Sequence, residues 1–279
     1  MNNETQVSRA MKDTHFPMIP PRNLHQAMVT SDEIIIITNL EWANRFAHVS
    51  AVKESCLANA RIGSVEEGFG RWTISVSDIE KTIVNARNAV AMLEGARRVR
   101  VTTPGGTDVT VSIEDRPALE VLPRKERGKM MGPVPLWGEV AYAAVEDQTN
   151  GRIVIDGNML GIGVPTNVES PITWHVENGR YKSIEGKAEA TKLRDIVHGV
   201  EGADVVAEFA FGTSDFSPLG SPSEKGRKGT VHFALGDNCN CYPGGQNHCR
   251  LHLDGVMHNA TLEILDTGKF ILKDGVWQL

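Results

Sequence analysis

Val99-Arg-Val-Thr-Thr-Pro-Gly-Gly-Thr107 is where the texture of this chain changes. Its β-branched residues read as a strand over 99–103, and the Pro-Gly-Gly-Thr stretch closes that strand with a turn. Upstream, Ser75 and Ser77 are both candidate caps for a helix. Its apolar residues Ile79, Ile83, Ala86, Val90 and Leu93 recur at helical spacing as far as Gly95. Residues 42–61 carry Ala and Leu at similar spacing and read as another helix. Before them, Glu33-Ile-Ile-Ile-Ile-Thr38 holds a continuous β-branched run, the pattern of a strand buried on both faces of a parallel sheet. Residues 1–30 read as a poorly ordered arm, since Pro17, Pro20 and Pro21 forbid a long helix.

Downstream of Thr107 the chain breaks into short strands punctuated by Gly, Pro and Asn: 109–113, 140–145, 151–155, 172–176, 205–211, 230–235 and 261–265. One helix interrupts them over 186–198. The expected class is therefore α/β plus β-rich. A short N-terminal α/β layer on a parallel sheet occupies residues 1–105, followed by a β-rich α+β domain over 106–279.

At 279 residues the chain can bury a full core, as one large domain or two small ones. A formal net charge of -6 argues against a nucleic-acid partner, whose binding depends on neutralising phosphates. The basic stretch Arg124-Lys-Glu-Arg-Gly-Lys129 contains an acid and reads as a solvated loop. The N-terminus lacks the apolar core of a signal peptide, and no apolar run approaches the ~20 residues of a membrane span. A cytoplasmic protein without a membrane partner is expected. The truncated α/β layer would expose apolar surface, so a homodimer is expected too.

The chemistry concentrates near the C-terminus. In His252-Leu-Asp254 on an extended strand, imidazole and carboxylate point to the same face, because side-chain direction repeats every two residues. His232, in Gly229-Thr-Val-His-Phe-Ala-Leu-Gly-Asp-Asn238, is placed to be a third ligand to the same cation. Otherwise it is a satisfied core histidine. As a ligand, its second ring nitrogen would find Asp237 or a backbone carbonyl. Glu208 lies inside the apolar run Val205-Val-Ala-Glu-Phe-Ala-Phe-Gly212, where a carboxylate is paired, metal-bound or facing solvent from an edge strand. Glu139, in Trp137-Gly-Glu-Val-Ala141, enters a strand from a Pro/Gly-rich loop. Of the four cysteines, Cys239, Cys241 and Cys249 crowd beside these residues, and Cys56 does not. CxxC pairs are absent, so they read as small loop residues or as part of the pocket.

Ala207-Glu-Phe-Ala-Phe-Gly-Thr213, Glu224, the run 229–238, Gly244-Gly245 and His252-Leu-Asp-Gly-Val-Met257 resemble the C-terminal signature of the metallo-aminopeptidases of the leucyl aminopeptidase and aminopeptidase T type, a superfamily that includes 2,5-dihydroxypyridine 5,6-dioxygenase. Thr103-Pro-Gly-Gly-Thr-Asp108 and Ser170-Pro-Ile-Thr-Trp-His-Val-Glu-Asn-Gly179 resemble its other blocks. The resemblance implies metal ligands at Glu139, Glu208, His232, His252 and Asp254. The position of Glu208 is a histidine in the dioxygenase, which tilts the likeness toward a two-metal hydrolase. This chain has Arg227 where the aminopeptidases carry a glutamate, and Cys239 where they carry a tyrosine. Glu224 is the nearest substitute acid, and Tyr242 lies in a shifted loop.

On this reading divalent cations (Zn, Co, Mn or Fe(II)) activate water against an amide-type bond in a small-molecule or short-peptide substrate. Glu224 is the expected proton acceptor, and Tyr242 or His248 stabilises the oxyanion. The rivals are a ring-cleaving Fe(II) dioxygenase and a non-catalytic metal-binding homologue.

Overall fold

The computed structural model describes residues 20–37, 50–65, 74–123, 127, 132–133, 138–163, 167–239 and 242–278. Residues 1–19 of the expected arm, 42–49 of the expected first helix, Trp137, Cys241 and all of the 124–129 basic stretch except Arg127 lie outside them.

The N-terminal part runs α1 (Arg22–Val29), β1 (Glu33–Ile37), α2 (Ser50–Leu57), β2 (Arg61–Val65) and α3 (Val76–Leu93). Then come β3 (Arg98–Thr102), β4 (Asp108–Ser112), β5 (Leu119–Val121), β6 (Gly132–Pro133), β7 (Glu139–Ala143), β8 (Asn150–Ile155), β9 (Ile172–Glu177) and β10 (Arg180–Glu185). Helix α4 (Ala188–Val197) precedes β11 (Val206–Gly212), a 3-10 turn (Pro222–Gly226) and β12 (Val231–Gly236). The last strands are β13 (His252–Met257), β14 (Thr261–Ile264), β15 (Lys269–Lys273) and β16 (Val276–Trp277).

The expected parallel layer exists as a three-stranded sheet, β1-β2-β6, with both pairings parallel. Its membership departs from expectation. Arg61, read as the last residue of a helix, instead opens its middle strand over 61–65, and the helix stops at Leu57. Among the described residues, Ile34 packs with Val52, Cys56, Ala60 and Ile62 on one face of β1, while Ile35 on the other is 57% exposed. Within the expected arm, Pro21 bars a helix running through it but leaves α1 free to begin at Arg22.

Helix α3 starts at Ser75, one of the two serines considered. The Ser75 side chain accepts from the Asp78 backbone N–H, and Asp78 accepts from the Ser75 N–H at 2.9 Å, a reciprocal cap. Its buried residues Ile83, Ala86, Ala89 and Leu93 join the main core.

That core lies between an eight-stranded antiparallel sheet, β10-β9-β8-β4-β3-β14-β15-β16, and a five-stranded one, β13-β12-β11-β7-β5. Strand β3 was counted with the parallel layer. It pairs instead with β4 and β14, deep in the large sheet. Gly105, where the sequence placed a domain division, therefore sits in a hairpin turn whose two strands are hydrogen-bonded neighbours. The sheet runs across that position.

Candidate metal centre

The centre is built on the outer face of the five-stranded sheet. Register pairs Glu208 with Ala143 and Ala234, Ala210 with Ala141 and His232, and Gly212 with Glu139. Across the next ladder, Ala234 faces Asp254 and Gly236 faces His252. Alternation then decides the rest. Phe209, Phe211, Phe233, Leu235 and Leu253 point into the core. Glu139, Glu208, His232, His252 and Asp254 share the opposite face with Ala141, Ala143, Ala210 and Ala234. Strand β11 is flanked on both sides, so Glu208 is no edge-strand acid; it is 1% exposed. A register shift between Val206 and Glu208 lies just before it, the kind of irregularity that re-aims a side chain beside a site.

The donors form two groups. Glu139, Glu208 and His232 converge, as do Glu208, His252 and Asp254; within each group the ligand atoms lie within 4.8 Å of one another. Glu208 belongs to both. Its Oε1 is 3.4 Å from His232 Nε2, and its Oε2 is 2.9 Å from His252 Nε2. His232 Nε2 also lies 3.5 Å from Glu139 Oε2, and His252 Nε2 lies 3.1 Å from Asp254 Oδ1. Where one cation was expected among His232, His252 and Asp254, the converging groups set His232 apart from the other two. The strand register sets one imidazole in each group, bridged by a carboxylate.

All five side chains are buried. Glu139 Oε2, Glu208 Oε1, Asp254 Oδ1 and both ring nitrogens of His232 make no hydrogen bond. Orphaned buried polar atoms are costly, and five on one face mark a place for a ligand. The electrostatics say which kind. Burial pushes the Glu139 carboxyl up to about 7, only partly opposed by Lys225 and His232. Burial alone would lower His252, yet Asp254 and Glu208 overcome it and hold the imidazole up at about 10. Three packed carboxylates thus demand positive charge, and mixed oxygen and imidazole donors suit a divalent cation.

The remaining candidates divide. Tyr242 covers the alanine floor formed by Ala141, Ala143 and Ala210. Its hydroxyl is 3.2 Å from His252 Nε2, and its ring stacks on that imidazole at 5.5 Å. Glu224 does not reach the centre. Its Oε1 accepts from the Asn158 N–H and its Oε2 from the Gly220 N–H, both at 2.7 Å, with His258 Nε2 3.2 Å away. Gly157 lets that carboxylate approach closely, because a Cβ on it would meet Glu224 Oε1 at 2.5 Å and displace it. His248 is exposed and contacts Cys239, away from the five donors. Asp237 serves a different imidazole from the one expected. Its carbonyl accepts from His252 Nδ1 at 2.8 Å, whereas His232 Nδ1 is unbonded.

Sequence reasoning missed Lys225. It is buried, and its Nζ donates to Asp254 Oδ2 at 2.9 Å. Gly212 makes this possible, since any Cβ there would collide with the Gly226–Arg227 backbone, and its absence lets the 3-10 turn press against β11. The only signal was adjacency: the residue reaching the centre is the neighbour of the acid singled out.

Fold and donor set together define a metal-dependent enzyme built on paired antiparallel sheets. The chain belongs to the 2,5-dihydroxypyridine 5,6-dioxygenase family, whose model matches residues 2–216. That span includes Glu139 and Glu208 and ends before His232. The structure is similar to that of 2,5-dihydroxypyridine dioxygenase from Pseudomonas putida, with a TM-score of 0.74 and 19% identity, covering 91% of this chain and 74% of that one. It is also similar to wild-type AmpT from Thermus thermophilus, with a TM-score of 0.67 and 15% identity over 99% of this chain and 85% of that one. No curated protein matches the chain. Among the described residues, no helix is long and apolar enough to cross a membrane.

Proposed function

We propose that the protein is a metal-dependent hydrolase that cleaves an amide-type bond in a small molecule or short peptide at two cation positions sharing Glu208. The division of the donors carries this reading. A non-haem Fe(II) oxygenase site gathers two imidazoles and a carboxylate around one ion. Here His232 and His252 fall in separate groups, each completed by carboxylates. Bound at these positions, divalent cations would supply Lewis acidity toward a carbonyl oxygen and bring a water's pKa toward neutrality.

The chain's own residues supply the rest. Lys225 places a fixed positive charge beside Asp254, offsetting one of the three carboxylates and fixing that side chain's direction. The Tyr242 hydroxyl, directed at the centre from above the alanine floor, is the group placed to donate to a developing oxyanion. His252 is oriented through Nδ1 by the Asp237 carbonyl, leaving Nε2 to face the centre. Glu224, with both oxygens held by backbone N–H groups, is an anchor for the Gly157–Asn158 and Gly220 backbone rather than a proton acceptor.

A second reading has its own support. The family model is that of a dioxygenase, and the dioxygenase structure has the higher TM-score of the two neighbours above. Under it, Glu208, His252 and Asp254 would hold a single Fe(II), and a dihydroxypyridine-like ring would be opened with O2. Elemental analysis of protein purified without added metal separates the two, combined with aminoacyl-anilide hydrolysis under nitrogen and O2 uptake on 2,5-dihydroxypyridine. Up to two cations per chain and hydrolysis without O2 support the hydrolase. One iron per chain with O2 uptake matched to ring loss refutes it.

A further inference from the structure

Between β12 and β13 the chain leaves the sheet at Asp237 and returns at His252, and the described residues of that connection are held by hydrogen bonds. The Asp237 N–H donates to Leu251 O at 2.7 Å and the Asn238 N–H to Asn247 O at 3.1 Å. Asn238 Nδ2 donates to Glu146 Oε1 at 2.9 Å and Ala207 O at 3.1 Å, tying the loop to the sheet. On this frame three different donor atoms meet. Cys239 Sγ is 3.1 Å from Asp237 Oδ1 and 2.9 Å from His248 Nδ1. The carboxylate oxygen, sulfur and imidazole nitrogen all lie within 4.8 Å of one another. Asp237 is buried, Cys239 half-buried and His248 exposed, so one side of the triad opens to solvent.

We propose that Asp237, Cys239 and His248 form a second cation site, taking a borderline divalent ion such as Zn2+ or Co2+ through a thiolate, separate from the five-donor centre. The donor set selects the ion class: a sulfur ligand disfavours Mg2+ and Ca2+, while mixed sulfur, imidazole and carboxylate ligation suits zinc. Three protein donors leave a fourth tetrahedral position on the solvent side for water. Binding is an exchange without redox change. The Cys239 S–H bond breaks, an Sγ–metal bond forms, and the thiol proton leaves to solvent. Burial pushes the Cys239 thiol up to about 12, with the Asp237 carboxylate acting in the same direction, so in cation-free protein Cys239 is a thiol donating to Asp237 Oδ1. A cation replaces that proton between the same two atoms.

The site bears on the main centre through one residue. The Asp237 side chain faces the proposed cation, while its carbonyl orients His252. The same loop carries Tyr242. An ion at Asp237–Cys239–His248 would therefore pin the loop over the five donors without touching them.

The experiment is a Co2+ titration of the full chain, read by absorption in the near ultraviolet, where only thiolate–cobalt charge transfer gives an intense band. Wild-type protein is expected to develop the band, releasing a proton per thiolate-bound cobalt. Cys239→Ser should abolish it, and His248→Ala should weaken cobalt binding at the band-giving site by at least about tenfold. His248 is exposed, so its variant carries the test if Cys239→Ser fails to fold. Glu208→Gln should lose cobalt from the five-donor centre and keep the band. No band in wild type at saturating cobalt overturns the proposal. So does an undiminished band in Cys239→Ser, which would assign the thiolate to Cys56, Cys241 or Cys249, or unchanged affinity in His248→Ala.

Discussion

Lys225→Met removes a positive charge from a place where water cannot replace it. Lys225 is 7% exposed and Asp254 1%, with Nζ and Oδ2 2.9 Å apart. Taking one partner from a buried ion pair strands the other, at a cost of roughly 3–5 kcal/mol. The same carboxylate faces His252 and sits with Glu208 in one donor group, so repulsion among the acids also rises. In cation-free protein the variant should unfold at lower denaturant, with a melting temperature reduced by about 6–10 °C at ~2 °C per kcal/mol for a chain of this size. A divalent cation supplies the missing charge. Added Zn2+ or Co2+ should therefore raise the melting temperature of Lys225→Met by more than it raises that of wild type. The assay is thermal unfolding followed by circular dichroism, in chelator and in saturating metal. Two outcomes refute the reasoning: a cation-free variant as stable as wild type, or equal metal-induced shifts in both proteins. The first would mean the ion pair is not worth its desolvation, the second that Lys225 and the cation do not share Asp254.

The remaining tests concern the shared carboxylate, the anchor and the assembly. Glu208→Gln should empty both donor groups, whereas Glu139→Gln should cost only one cation; elemental analysis showing equal losses would refute the bridging role of Glu208. Glu224→Gln should destabilise the fold by about 1–3 kcal/mol through weakened buried hydrogen bonds, with metal content unchanged. Abolished turnover at full stability and full metal content would return Glu224 to catalysis. The Glu224–His258 pair also predicts a pH window. Hydrogen bonding to Glu224 raises His258 above its ordinary 6.5, so its contribution is full below that value and fades as pH climbs through the raised one. Despite burial, bonds from His258 and the Gly220 N–H lower Glu224 below 4.5, so its contribution is full above 4.5 and fades in acid beneath the lowered value. Urea midpoints of wild type should fall on the alkaline side more steeply than those of His258→Gln, and parallel curves would count against the pairing. Finally, Ile35 and Leu57 of the parallel layer are 57% and 79% exposed, and we expect a homodimer covering this layer. A monomer mass in sedimentation equilibrium at micromolar concentration would exclude it.

The five donors were legible because a strand's side chains alternate and acids or imidazoles inside apolar strands are rarely idle. Glu208 between Val206 and Phe209 and the His252–Asp254 spacing both announce a polar face in a buried sheet. Which donors meet was not legible. The two-residue period puts His252 and Asp254 on one face, but only the register, with Gly236 opposite His252 and Val256 opposite His232, decides where His232 lies relative to them. Lys225 and Glu224 lie in a 3-10 turn, where no period fixes side-chain direction. Their exchange of roles depends on how closely the turn approaches Gly212 and Gly157. The β2 strand was missed because Arg61-Ile-Gly-Ser-Val65 is too short and mixed to show alternation, and parallel partners bring it into the sheet. The register shift before Glu208 left no trace in composition.

The donors hang on four adjacent strands drawn from positions as far apart as Glu139 and Asp254. Nothing resembling the assembled centre can exist in a growing polypeptide until the final strand of that ladder has emerged and zipped into place. A ribosome-bound chain cut before β13 would hold the Glu139–Glu208–His232 half alone. Cation capture at the full centre therefore waits on the pairing of β13, and an ion arriving before it would find half a cage.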